Sequence, residues 1–172
     1  MKKIYDELVQ YGENFNLIHF GMLALDSMRL EKNYRSWKSD LTSDYTMLQS
    51  GLEKWIKFDK GNFVGKEALK NEFDLGTSKK FVTLVVDDPE DNKPFGEPVY
   101  LSPVFAGDDY LGPIVSSGYG HRVKKSISMA ILDDRNLNGL NDQLYIDVLG
   151  RKRKAYIVNE ALYDPENLKL RS

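Results

Sequence analysis

The first part of the chain carries apolar residues at helical spacing. Ile4 and Leu8 follow this spacing and predict an amphipathic helix from about Lys3 to Tyr11. Two further helices are predicted, one over residues 20–32 and one in "VGKEALKNEFDLG", which Gly76 closes. Between them, the stretch "LEKWIKFDKGN" predicts a strand. The N-terminal segment is therefore expected to be helical and mixed.

From Lys79 onward the pattern changes to short β-type runs separated by Pro, Gly, Asn and Asp clusters. The runs are "KKFVTLVVDD", "GEPVYLSPVF", "YLGPIVSSGY", "KSISMAIL", "QLYIDVLG" and "RKRKAYIVNEAL". The basic residues 151–154 in the last run are predicted to lie at a solvated strand edge. We therefore predict an α+β fold, with a helical and mixed segment over 1–78 and a small antiparallel β-barrel or sandwich over 79–172.

The second predicted helix contains an arginine among apolar residues. Its apolar side chains cover most of its circumference, so the helix is expected to be largely buried. A buried guanidinium without a partner is very costly, so Arg29 needs a carboxylate, carbonyl oxygens or a ligand. Asp26, three residues earlier, is one possible partner. The alternative is that Arg29 faces a pocket and binds an acidic or carbonyl-bearing ligand. Periodicity alone does not decide between an internal ion pair and a ligand-binding role for Arg29.

Composition narrows the function classes. The chain has 172 residues, of which 41% are hydrophobic, and this is enough for a sizeable core. Its net charge of −2 comes from a mixed 29% of charged residues, which argues against nucleic acid as a partner. There is no cysteine, and no apolar run has the length of a membrane span. A soluble, cytoplasmic protein without a membrane partner is expected.

Three apparent chemical motifs do not predict a site. "GNFVGKE" has three residues between its glycines, where a phosphate loop needs four, and Glu67 stands where the magnesium-binding hydroxyl belongs. "SSGYGH" over 116–121 lacks the base and acid of a serine nucleophile and predicts a tight turn. The two histidines, His19 and His121, are far apart and lack the spacing of metal ligands. No catalytic residue and no metal site are therefore predicted.

Several motifs in order carry a family resemblance. "ALDSMRLEKNYRSWKSDLT", followed by "SGLEKWIKFDKGNFVGKEAL", resembles a motif pair near the C-terminal end of the aminomethyltransferase superfamily, which includes the glycine-cleavage T-protein. "FGEPVY", "SSGYGHRVKKSISMAI" and "ALYDPENLKLRS" are most similar to the C-terminal folate-binding half of dimethylglycine and sarcosine dehydrogenases. The resemblance implies that 1–78 is part of an aminomethyltransferase folate-binding domain and that 79–172 is the C-terminal barrel domain.

The resemblance also implies a function in one-carbon metabolism, with tetrahydrofolate as the cofactor. Arg29 matches the arginine of the family's "RLE" motif, which lies near the folate site. Trp37 matches an aromatic residue, usually tyrosine in T-proteins, eight residues later. Gln49 replaces a glutamate that is common in the family and so removes one charge. The implied cofactor-binding residues are therefore Arg29 and Trp37.

Much of such an enzyme would lie upstream of these residues. The family's flavin-binding portion, its catalytic aspartate region and its pterin-binding acidic residue all precede the matched motifs, so FAD is expected only in an upstream domain. The expected partners are folate and this upstream domain, in the same or a separate chain. Exposed apolar surface around the first 60 residues and a possible homodimer are also expected. A different class of function, a scaffold or interaction module that retains the fold without binding folate, stays open.

Overall fold

The computed structural model describes residues 1–87, 97–134, 137 and 144–172. Its helices are α1 (Lys2–Gly12), α2 (Met22–Glu31), α3 (Lys66–Leu75) and α4 (Leu168–Arg171), with short 3₁₀ helices at Glu13–Phe15 and Glu53–Trp55. The three helices predicted from the sequence are confirmed. Gly76 follows α3 with a φ of +86°, a value that glycine adopts without steric cost.

The strand predicted in "LEKWIKFDKGN" is wrong. The segment contains the 3₁₀ helix Glu53–Trp55 followed by turns. The ring of Phe58 packs against that of Phe73 in α3, with centroids 5.6 Å apart. The segment therefore packs against a helix and does not form a strand.

The second half of the chain forms a closed antiparallel barrel. Its described strands are β1 (Lys79–Val86), β2 (Pro103–Ala106), β3 (Asp109–Gly120), β4 (Lys125–Asp133), β5 (Leu144–Val148) and β6 (Arg151–Val158). They follow the order β1-β4-β3-β2-β5-β6, and β6 pairs with β1 to close the ring. The predicted α+β class is confirmed, and closure selects the barrel over the sandwich.

The prediction for the basic run is confirmed in part. Residues 151–154 pair with β5, whereas the pairing of β6 with β1 begins at Ala155, and Arg151, Lys152 and Lys154 are exposed. Arg153 is buried, and its Nη2 donates a hydrogen bond of 2.7 Å to the carbonyl oxygen of Asp87. Side chains along β6 alternate between the two faces of the barrel wall, so the basic residues are not all solvated.

Two strands, β1 and β4, have apolar residues on both faces. One buried cluster fills the barrel interior and includes Leu84 and Leu132. A second cluster lies outside the wall and includes Phe81, Ile127 and Met129, together with Leu30 of α2. The continuous apolar runs of β1 and β4 therefore reflect an interior face and an outer face that α2 partly covers.

Helix α2 contacts this outer face through its C-terminal end only. Leu30 is 1% exposed, whereas Met22 and Leu23 are 74% and 87% exposed. The prediction that α2 is largely buried is therefore wrong. In the described part of the chain the barrel covers one edge of the helix, and nothing covers the others.

Exposed apolar side chains continue towards the N-terminus. We call this region the N-terminal apolar surface. Its large exposed side chains are Ile4, Tyr5, Leu8, Tyr11, Phe15, Leu17, Ile18, Phe20, Met22 and Leu23. Their exposure agrees with the expectation from the sequence, and exposed apolar side chains in such number typically mark an interaction surface. Among the residues that the structure describes, no helix combines the length and the apolar composition needed to cross a membrane.

The C-terminal segment is tied to the end of α2. The Lys32 ammonium donates to the Asn167 Oδ1 at 2.7 Å and pairs with the Asp164 carboxylate at 3.1 Å. Burial alone would raise the pKa of Asp164, but hydrogen bonds from the Lys169 backbone and from Lys32 outweigh it, so this pKa is lowered. The carboxylate therefore stays charged and keeps its bond to Lys32.

Candidate functional site

The triplet Arg29-Leu30-Glu31 fixes α2 on the barrel through three different contacts. Leu30 packs in the outer apolar cluster. Glu31 is 3% exposed. Its Oε1 accepts hydrogen bonds from the backbone N–H groups of Arg122 at 2.6 Å and Val123 at 3.2 Å, which lie in the turn between β3 and β4. A Cβ atom at Gly120 would lie 3.0 Å from the Glu31 Cγ, so the glycine allows the close approach. Leu30 and Glu31 thus attach the helix to one hairpin.

Arg29 is the centre of a polar network beside this attachment. Its Nε donates to Asp26 Oδ1 at 2.6 Å, its Nη1 to Asp40 Oδ2 at 2.8 Å, and its Nη2 to Ser116 Oγ at 3.0 Å. A longer bond of 3.3 Å joins Nη1 to the carbonyl oxygen of Tyr34. The predicted pairing with Asp26 is confirmed, but Asp26 is half exposed and is only one of two carboxylates that neutralise the guanidinium.

Asp40 is the buried member of this network. Its side chain is fully buried, and its two oxygens accept hydrogen bonds from Arg29 and from the Ser116 hydroxyl. Oδ2 also accepts the backbone N–H of Ser36 at 2.6 Å and thereby closes the turn Ser36–Leu41. A charge so completely removed from water requires its ionic partner. The Arg29–Asp40 pair therefore joins α2, this turn and the barrel.

The turn that Asp40 closes carries Trp37. The indole is 74% exposed, and the residue forms an isolated backbone bridge with Leu41. Arg29 and Trp37 are thus linked through Asp40, which contacts the guanidinium on one side and the start of the turn on the other. The structure places Arg29 within a mostly satisfied network and Trp37 on the surface. Their role towards a ligand stays a prediction.

Sequence reasoning missed Asp40 and Ser116 as partners of Arg29. A serine followed four residues later by an aspartate, as in Ser36 and Asp40, was a signal for a closed turn. Ser116 was included in a predicted tight turn, but it lies within β3, and the turn begins at His121. A β-bulge between Ile114 and Ser116 shifts the register there. This shift brings Ser116 towards α2, and the local pattern did not indicate it.

A cleft of about 1050 Å³ lies near the end of α2, and we call it the basal cleft. It is lined by residues 32–35, 51–55, β1 residues 80–83 and the segment after β6, among others. Neither Arg29 nor Trp37 lines it. In the residues that the structure describes, no three of the metal-binding types His, Cys, Asp and Glu are grouped closely enough to hold an ion.

The chain combines a closed antiparallel barrel with a preceding helix whose partly buried Arg29 pairs with the buried Asp40. The family description "GCVT N-terminal domain" matches residues 1–60, and "Glycine cleavage T-protein C-terminal barrel domain" matches residues 79–164. The resemblance noted in the sequence is therefore confirmed, and the chain belongs to the glycine-cleavage T-protein family.

Curated relatives fall in two groups that the sequence had indicated. Human mitochondrial dimethylglycine dehydrogenase is 29% identical over 92% of this chain and 18% of its own length. An aminomethyltransferase of Pseudothermotoga lettingae is 31% identical over 93% of the chain and 42% of its own length. The chain thus spans less than half the length of the curated relatives it matches.

A third kind of relative is not named as an enzyme. Mouse mitochondrial pyruvate dehydrogenase phosphatase regulatory subunit is 28% identical over 73% of the chain and 14% of its own length.

Among solved structures, aminomethyltransferase T from Bartonella henselae aligns with a TM-score of 0.69 at 19% identity, covering 83% of this chain and 38% of that one. The structural similarity supports the fold.

Proposed function

We propose that this chain is the C-terminal, folate-linked portion of a one-carbon-transfer enzyme of the aminomethyltransferase or dimethylglycine dehydrogenase kind. The observation that carries the proposal is the buried Arg29–Asp40 pair, which holds a turn with an exposed indole in a chain of this family. Tetrahydrofolate in such enzymes captures the one-carbon unit. An exposed tryptophan on a turn that is tied to a guanidinium through Asp40 suits a ligand with an aromatic body and an acidic tail.

The residues present fit a binding role better than a catalytic one. Trp37 would offer its exposed ring face to the pterin or benzoyl group. Arg29 would orient the turn at the edge of the folate channel through Asp40. We assign no acid, base or nucleophile to this chain, and any flavin chemistry would belong to an upstream domain.

A scaffold or interaction module is the second candidate. The observation that favours it is that Asp26, Asp40, Ser116 and the Tyr34 carbonyl already accept hydrogen bonds from Arg29. A guanidinium with these partners needs no ligand. The similarity to a phosphatase regulatory subunit also supports a function through protein contacts. Under the scaffold hypothesis, Trp37 would contact a partner protein.

The Trp37→Ala variant separates the two candidates. We expect it to weaken tetrahydrofolate binding about tenfold, since aromatic contacts with a ring are worth roughly 1 kcal/mol or more beyond their area. Because the side chain is largely exposed, the midpoint of thermal unfolding should hardly change. Isothermal titration calorimetry and thermal melting measure the two effects.

Trp55→Ala is the matched control, since this second tryptophan is 67% exposed but lies in the basal cleft. It should leave tetrahydrofolate binding unchanged. If wild type and both variants bind tetrahydrofolate equally, or none of them binds it, the folate proposal fails and the scaffold reading stands.

We further propose that the N-terminal apolar surface is covered by the remainder of a T-protein-like N-terminal domain, in the same or a separate chain. Exposed apolar side chains on α1 and the following segment support this. The matched aminomethyltransferases also have more than half of their length outside the aligned region. In isolation the same surface would favour a homodimer, because two copies bury it against each other.

Sedimentation velocity tests this surface. The chain should self-associate as its concentration rises, and the paired substitutions Leu8→Lys and Ile18→Lys should return it to a monomer. Leu149→Lys is the control, since Leu149 is 82% exposed in the turn between β5 and β6, and it should not affect association. A wild-type chain that remains a compact monomer at high concentration would count against the proposal.

A further inference from the structure

The basal cleft is lined by both apolar and polar side chains. Phe81, Leu48 and Ile157 line it together with the exposed indole of Trp55. Its volume of about 1050 Å³ exceeds what a small organic molecule needs. Among the lining residues that the structure describes, four are basic and four are acidic, so their charges balance. A ligand of low charge with an apolar body suits such a cleft.

Arg35 is a charged residue of this cleft whose Nε is buried without a hydrogen-bond partner in the described residues. Its guanidinium carbon lies 4.3 Å from the centroid of the Phe81 ring, which holds the guanidinium by a cation–π contact. Its side chain makes no hydrogen bond to the described part of the chain, and its Nε is buried without a partner. Burial lowers the pKa of Arg35, and the carboxylates of Glu53 and Asp40 oppose this effect. The group therefore remains a charged donor.

Asn33 is a second hydrogen-bond donor among the residues that line the cleft. Its Oδ1 accepts a hydrogen bond of 2.7 Å from the hydroxyl of Thr83, which is buried in β1. This bond turns the amide so that its nitrogen is left to donate elsewhere, and the nitrogen has no hydrogen-bond partner in the described ranges. Both residues line the cleft. The cleft therefore contains two donors, on Asn33 and Arg35, that a ligand can use.

We propose that the basal cleft binds a small organic monocarboxylate with an apolar or aromatic body, with its carboxylate on Arg35. The planar fork of a guanidinium matches the two oxygens of a carboxylate, and the Phe81 ring limits its rotation. The Asn33 amide supplies a further donor. The balanced charge of the lining disfavours more highly charged anions such as phosphate. The apolar wall and the Trp55 ring contact the body of the ligand.

This site is distinct from the proposed folate edge. Neither Arg29 nor Trp37 lines the basal cleft, and Arg35 has no hydrogen bond to either. The folate proposal and the monocarboxylate proposal are therefore tested by separate titrations. Folate could fail to bind while the cleft accepts a monocarboxylate, and the reverse is equally open to measurement.

The experiment uses 3-phenylpropionate as the probe, with 3-phenylpropanol as its neutral analogue and inorganic phosphate as the more highly charged anion. Each is titrated calorimetrically into the full chain at low ionic strength, and NMR follows the Asn33 side-chain amide and the Trp55 indole N–H. We expect saturable binding of the carboxylate with shifts of both signals, and at least about tenfold weaker binding of the alcohol and of phosphate.

Variants localise the carboxylate. Arg35→Met should weaken 3-phenylpropionate binding about tenfold or more, and Arg35→Lys should weaken it several-fold, because it keeps the charge but loses the fork. Lys80→Met removes the same charge from the same cleft, and its effect should stay within about threefold. Equal losses in Arg35→Met and Lys80→Met would reduce the effect to general electrostatics and overturn the proposal.

Two further results would also overturn it without any variant. One is equal affinity for the acid and the alcohol, and the other is no binding of 3-phenylpropionate by folded wild type at millimolar concentration. Circular dichroism establishes that each variant is folded. If Arg35→Met fails to fold, Arg35→Lys and the comparison of acid with alcohol still decide the outcome.

Discussion

Replacing Arg29 with alanine should lower the free energy of unfolding by about 3 to 5 kcal/mol, the typical cost of breaking a buried ion pair. The substitution leaves the carboxylate of Asp40 fully buried without its ionic partner. It also removes the hydrogen bond of Arg29 to Ser116, which ties α2 to β3. Urea denaturation followed by circular dichroism measures the change.

Asp26→Asn is the matched control, because Asp26 is half exposed and pairs with the same guanidinium. It should cost less than about 1 kcal/mol, as exposed ion pairs do. The double variant Arg29→Ala with Asp40→Ala should be less destabilised than the sum of the single variants, because the uncompensated charge is gone. If Arg29→Ala costs no more than Asp26→Asn, the network contributes little to folding, and a ligand-directed role for Arg29 gains support.

Replacing Gly112 with alanine should destabilise the barrel by about 3 kcal/mol, at the upper end of the usual cost of overpacking. The added Cβ would lie 2.2 Å from the carbonyl oxygen of Ile131, a backbone atom that cannot move aside without displacing β4. The φ of Gly112 is +154°, a conformation that other residues rarely adopt. Because β3 also carries Ser116, the strain should extend to the Arg29 network.

Gly61→Ala is the corresponding control, since its added Cβ would meet nothing within 4 Å and its φ is not positive. Its effect should stay within about 0.5 kcal/mol. Thermal and urea unfolding of the two variants measure the difference. A Gly112→Ala protein as stable as Gly61→Ala would mean that β3 and β4 can separate locally at little cost.

The helices could be predicted because their signals are local. The periodicity of α1 and α3 and the glycine after α3 depend on residues within a few positions of one another. The six β-type runs are recognisable for the same reason, as alternating or continuously apolar segments between turn residues. Family membership was also recognisable from the sequence, since its motifs follow one another along the chain.

Burial of α2 could not be predicted in the same way. The apolar circumference of α2 indicates that its faces are suited to burial, but it does not say which neighbour supplies the contact. In the described structure only Leu30 and Glu31 of this helix are buried, because the barrel contacts its C-terminal end. The basic run of β6 shows the same limit, since Arg153 is buried and donates to the carbonyl oxygen of Asp87, which lies 66 residues away along the chain.

The sequence by itself determined the elements, the α+β class and the need of Arg29 for a partner. Tertiary structure decided which partners it has. Asp40 lies 11 residues away and Ser116 lies 87 residues away along the chain. Ser116 meets Arg29 because β3, with its bulge, packs against α2, and Asp40 meets it because the turn Ser36–Leu41 places the carboxylate against the helix, where a buried charge must be neutralised. No local pattern encodes that distance, so only the folded chain shows that Arg29 and the turn of Trp37 share one buried carboxylate.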